Sequence, residues 1–155
     1  MNLRGIVFAS LVIALAMVSV TQAQERKIKR TQLPPAVEKT VAEQSQGATI
    51  KGFSTEIEKG KRVYEAAMTV NGHTKDILID VEGNVIEVEE QVTMDSLAQP
   101  VKDALTKAAG RGTINMIESL TKNGTLVAYE GHVKRGVKRF EIQVGPNGEK
   151  LAHPE

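Results

Sequence analysis

The 155-residue chain contains no cysteine. That excludes disulfide staples, thiolate chemistry, cysteine-ligated zinc and lipid attachment at a cysteine behind a leader. An excess of either charge is missing too, with 20 Lys+Arg against 19 Asp+Glu. Such a balance gives no reason to expect nucleic acid or an anionic membrane as partner. Catalytic signatures are equally scarce: there is no H-E-x-x-H, no phosphate-binding glycine loop and no serine-nucleophile motif. Only His73, His132 and His153 occur as histidines, and none stands in a metal-ligand or triad spacing. The expectation is a protein that is not an enzyme and carries no cofactor.

No apolar run has a comfortable membrane-spanning length. The longest, Ile6 to Val20, falls short of the roughly 20 residues a helix needs to cross a bilayer. It follows Arg4 and precedes Thr21-Gln22-Ala23, the order of a charged start, an apolar stretch and a small-residue cleavage site in a bacterial-type secretory leader. Cleavage after Ala23 leaves a mature chain of 132 residues without a stable membrane anchor, in the periplasm or outside the cell. A chain of that size buries about two-thirds of its unfolded surface and needs no staples. Its formal charge is zero, because Arg4 leaves with the leader. Residues 24–32, with the basic run Arg26-Lys27-Ile28-Lys29-Arg30, read as a solvated flexible segment.

The remainder is written twice. Leu33, Val37 and Gly60 recur as Leu97, Val101 and Gly124 at an offset of 64, and Tyr64-Glu65, Asp76 and Gly83 recur as Tyr129-Glu130, Glu141 and Gly148 at an offset of 65. Residues 33–92 and 93–155 form two repeats of one compact domain in this reading. Each opens with a helix. Pro34-Pro35 suits the first turn of one, with Ala36, Val37, Thr40, Val41 and Gln44 on a common face. Ser96 and Gln99 offer a capping box to the other, before Val101, Ala104, Leu105 and Ala108. Gly47 and Gly110 end them.

The periodicity then changes to two. Strands are expected near 49–57, 62–70, 74–81, 85–92, 113–121, 125–134, 137–144 and 149–152, with Asn71-Gly72, Asn123-Gly124 and Asn147-Gly148 as tight hairpin turns. Alternation such as Tyr64, Ala66, Met68, Val70 makes one face apolar and the other wet, as in an antiparallel sheet covered by helices on one side. The class is α+β.

The order Leu33-Pro34-Pro35-Ala36-Val37, then Val63-Tyr64-Glu65, then Asp80-Val81-Glu82-Gly83-Asn84-Val85 resembles the PepSY and PepSY-like families, including the beta-lactamase-inhibitor-like group. The second repeat departs from it, with Ala98-Gln99 in place of the double proline and Gly145-Pro146-Asn147-Gly148 in place of Asp-x-x-Gly. The resemblance implies tandem α-β-β-β repeats forming one curved antiparallel sheet with helices on one face. It also implies inhibition or binding of an exported protein, and it carries over no catalytic residue.

A docking surface is therefore sought on the uncovered face. Glu130, His132 and Lys134 alternate along one strand and can meet Arg139, Glu141 and Gln143 on the next. The first-repeat positions matching Glu130, His132 and Lys134 are Glu65, Ala67 and Thr69, so the second repeat is expected to carry the more charged open face. Glu130, His132, Lys134, Arg139 and Glu141 are the partner-binding candidates, with an exported protein as partner. Two alternatives stand beside this: a structural or stress-related periplasmic protein without a tight partner, and a metal-binding protein using His132. Favourable cross-strand charge pairing is the plain structural reading of the same residues.

Overall fold

A computed structural model describes residues 25–155, so the leader and its cleavage site lie outside the described residues. Eight strands form one sheet whose spatial order follows the chain, and every neighbouring pair is antiparallel. They are β1 (Arg26–Ile28), β2 (Thr49–Glu58), β3 (Lys61–Val70), β4 (His73–Asp80), β5 (Val85–Val92), β6 (Thr113–Lys122), β7 (Thr125–Arg135) and β8 (Lys138–Val144). Helix α1 (Pro35–Gln44) precedes β2, and α2 (Gln99–Ala109) precedes β6. Four strands thus follow the first helix and three follow the second.

Helix α1 opens on Pro34 and Pro35, as expected from proline's fixed φ and missing N–H. It buries Val37 and Val41 against Tyr64, Ala66, Met68, Ile77 and Ile79. Helix α2 buries Val101 and Leu105 against Ile117 and Val144. The register Ala66↔Ile77↔Val88↔Thr121 carries one face without interruption from β3 to β6, so both helices cover the same side of the sheet. Each shields its own apolar cluster.

Several expectations are corrected here. The Ser96–Gln99 capping box does not form: Ser96 Oγ donates to the Thr93 carbonyl, and Gln99 Nε2 donates to Asp103. Proline at the second helical position starts α2 instead, and Ala109, not Ala108, completes its buried face. The basic run is not a loose tail, since Arg26–Ile28 pairs with Ser54 and its neighbours at the sheet edge. Arg30 closes the segment onto α1 through a 2.7 Å ion pair with Glu38. Extended geometry at Arg26–Ile28 follows from burying Ile28 in the α1 cluster, a contact the charge run conceals.

Residues 149–152 form no strand. Glu149 folds back on the turn, its carbonyl accepting from Gly145 N and its carboxylate from Asn147 N. Asn147-Gly148 is accordingly not a two-residue hairpin turn, whereas Asn71-Gly72 and Asn123-Gly124 are, with positive φ at both residues of each.

Gly83 and Gly148 occupy equivalent settings. Gly83 N donates to the Asp80 carbonyl while Asp80 N donates to the Asn84 carbonyl; Gly148 N donates to Gly145 while Gly145 N donates to Glu149. Both glycines have positive φ, 91° and 83°, and a Cβ on either would strike the helix's first turn, at the Ala36 and Pro100 carbonyls respectively. In each half this turn sets how closely the helix approaches the sheet.

Candidate functional site

The helix-free face is where the predicted residues meet. Glu130 lies opposite Gln143, His132 opposite Glu141, and Lys134 opposite Arg139, so all five candidates share this face across β7 and β8. Lys134, Arg139 and Glu141 are exposed, and His132 is half-buried. His73 sits in the β3–β4 turn region and His153 near the chain end, and both are exposed.

His132 is not held chiefly by the residues its own neighbourhood suggested. Its Nε2 is 2.7 Å from Glu118 Oε2, with Glu130 Oε1 at 3.5 Å, while Glu141 Oε1 is 3.7 Å from Nδ1. Glu118 comes from β6, directly opposite Glu130, and is buried. A hydroxyl and an amide orient the two carboxylates. Thr74 Oγ1 donates to Glu118 Oε1 at 3.2 Å, and Gln143 Nε2 donates to Glu130 Oε2 at 2.6 Å. The free oxygens of both therefore turn toward the imidazole. A depression of about 370 Å³ beside the ring is lined by Asn115, Met116, Arg139 and Phe140.

The same face carries a longer pattern. Glu56 on β2 is the diagonal neighbour of Glu65 on β3, which is diagonal to Asp76 on β4; Asp76 lies opposite Glu89 on β5. Glu89 is diagonal to Glu118, Glu118 lies opposite Glu130, and Glu130 is diagonal to Glu141. Seven consecutive strands thus contribute one carboxylate each to a band crossing the sheet. Cross-strand like charges are unfavourable. Cations on this face lie mainly beside the band: Lys122 pairs with Glu87 at 3.5 Å, and Lys134 with Arg139 stands at the far hairpin.

The band's electrostatics follow from its burial. Glu89 lies opposite Leu120, which is buried, and its carboxyl is pushed up to about 8 by burial first and then by Glu118, Glu87, Glu130 and Asp76. Burial and the carboxylate of Asp76 likewise raise Glu65; burial and Glu118 raise Asp76. Burial raises Glu130 as well, opposed by the Gln143 hydrogen bond. Six side chains, Glu56, Glu58, Glu65, Asp76, Glu87 and Glu89, surround a depression of about 210 Å³ in the first half.

One expectation changes here. The open face is not uniformly wet, because Leu78 and Leu120 are buried on it beside the carboxylates. The second half mixes its carboxylates with His132, Lys134 and Arg139, while the first half concentrates carboxylates almost alone.

Neither a family model nor a curated protein matches the chain. Solved structures do. The fold is that of a BLIP-like protein from Bacteroides fragilis, with 21% identity and a TM-score of 0.54 over 75% of this chain and 81% of that one. A DUF2874 family protein from Bacteroides ovatus is similar over 76% of this chain and 84% of its own, at 19% identity and a TM-score of 0.58. Another from Bacteroides uniformis gives 17% identity and a TM-score of 0.58 over 75% and 84%. At these identities the likeness speaks for the fold, a BLIP-like α+β arrangement. Among the described residues no helix is long and apolar enough to cross a membrane.

Proposed function

We propose that this is an exported, non-enzymatic binding module that docks a periplasmic or secreted protein on the helix-free face of its sheet, inhibition of that protein being one form the docking takes. The observation carrying this reading is the carboxylate band from Glu56 to Glu141. Folding pays to bring like charges together on a face that no helix covers, where the chain's last residue, Glu155, meets Gln143 and Lys122 at one side, and a complementary basic surface on a partner offsets that repulsion. Lys134 and Arg139 at one end favour an acidic group on the partner at that end, which fixes its orientation. The leader-like N-terminal sequence supports export, and the lack of a nucleophile–base set supports a role without turnover.

The matched turns at Gly83 and Gly148, each seated on the first turn of its helix, support reading the chain as two copies of one PepSY-like unit. Doubling the unit widens the open sheet face into a surface large enough for a protein.

Affinity capture from the native envelope fraction, followed by mass spectrometry, tests the proposal. Glu56→Lys with Glu141→Lys, and separately Lys134→Glu with Arg139→Glu, should each reduce recovery of the captured protein at least tenfold. Equal recovery by both double variants overturns the site, and hydrolytic turnover by the purified protein overturns the non-enzymatic reading.

A further inference from the structure

We propose that Glu118, Glu130 and His132 form a zinc site, with Glu118 Oε2, Glu130 Oε1 and His132 Nε2 as ligands and the fourth position open to solvent. One ligand atom from each of the three residues lies within 4.8 Å of the others. In a tetrahedral zinc site with bonds near 2.0–2.1 Å, ligand atoms stand about 3.4 Å apart. Glu130 Oε1 and His132 Nε2 already stand at 3.5 Å. Glu118 Oε2, at 2.7 Å from Nε2, makes a hydrogen bond that a metal replaces after a side-chain shift of under about 1 Å.

The groups behind these ligands decide between a metal and a simple ion pair. Ligating carboxylates and imidazoles are characteristically oriented by a hydrogen bond to their other atom. Here Thr74 Oγ1 holds Glu118 Oε1, Gln143 Nε2 holds Glu130 Oε2, and Glu141 Oε1 stands on the Nδ1 side of His132 at 3.7 Å. No lysine or arginine among the described residues makes an ion pair with Glu118 or Glu130. An imidazolium supplies one positive charge against two carboxylates, with Glu89 and Asp76 further along the band; a divalent ion supplies two. One imidazole with two carboxylates suits zinc better than calcium or magnesium, which prefer an all-oxygen shell. The matching first-half positions, Ser54, Glu65 and Ala67, lack both the imidazole and the second carboxylate. Zinc should therefore occupy the second half alone.

Titration of the untagged, leader-free protein with zinc chloride in chelator-treated buffer should give one equivalent bound. His132→Ala should weaken that event more than tenfold and Thr74→Val about tenfold, while Glu56→Gln leaves it unchanged. In the unaltered protein, zinc should shift the ring-proton resonances of His132 and spare those of His73 and His153, a readout that does not depend on any variant folding. Absence of a stoichiometric event, an unshifted His132 ring, or equal affinity in a folded His132→Ala overturns the site; the last would make the band an unselective cation surface. No partner protein enters these measurements, so their failure leaves the docking proposal standing.

Discussion

The two halves of the open sheet face share a layout and differ in how they neutralise it. In β2–β5, Glu56, Glu65, Asp76 and Glu89 stand around the apolar floor of Leu78 with no cation in the band itself. In β6–β8, Glu118 and Glu130 converge on His132, and Lys134 with Arg139 follows at the hairpin. The pivotal difference is Ala67 against His132, equivalent places on β3 and β7 by sequence offset. A methyl group leaves the carboxylates facing one another, and an imidazole gathers them. A formal charge near zero for the whole chain therefore conceals strong segregation, because charge balance is a sum and repulsion depends on spacing.

The sharpest way to break the comparison lies beneath it, in the separate apolar clusters under the helices. Leu105→Ala empties the α2 cluster and should cost about 2–5 kcal/mol in chemical denaturation. Val41→Ala should cost less, since fewer methyl groups leave the α1 cluster. A single cooperative transition in both variants would show that the halves unfold together despite having separate clusters.

Gly83→Ala and Gly148→Ala test whether the two helices dock alike. Each forces a side chain into left-handed φ and against a helix carbonyl, so each should cost roughly 1–3 kcal/mol or more by the same measurement. A much smaller loss at Gly148 would show that the chain end yields where the interior turn cannot.

Electrostatics provide a smaller and pH-dependent test. Glu89 titrates near 8 in the folded protein against about 4.3 for an unfolded glutamate. Below about pH 4 both states hold the proton, and the group costs nothing. Between these values the unfolded state ionises while the folded one resists, so stability falls as pH rises and levels off above about pH 8. Glu89→Gln should leave melting unchanged at pH 4 and stabilise at pH 8 by about 1–2 kcal/mol, a figure reduced for solvent screening of a partly exposed group. An identical shift at both pH values would assign the effect to packing.

Much of the fold was legible because its signals are local. Asn71-Gly72 and Asn123-Gly124 demand a turn of one hand, Pro34-Pro35 demands a helix start, and alternation along β3 and β7 separates two faces. Sequence reasoning failed where a competing contact decided: Ser96 bonds its own turn instead of capping α2, and Ile28 draws a charged run into the sheet. The candidate site was half legible. Glu130, His132 and Glu141 could be aligned from one hairpin, but Glu118 lies fourteen residues before His132 on a strand with its own bulges. An isolated Glu beside buried Ile117 gives no local sign of its partner. The recurrence of carboxylates on successive strands was its one available signal.

Residue order alone determined the run of strands after each helix, the start of α1 and the side of strands such as β3 and β7 that meets a helix, because these depend on backbone torsions and on spacing of two or 3.6 residues. Only the tertiary structure decided which carboxylates became neighbours. Adjacent strands bring side chains to within about 5 Å from positions far apart in the chain, and a register set by bulges, turns and two packed helices selects Glu118 for His132 and lines up seven acids across the sheet.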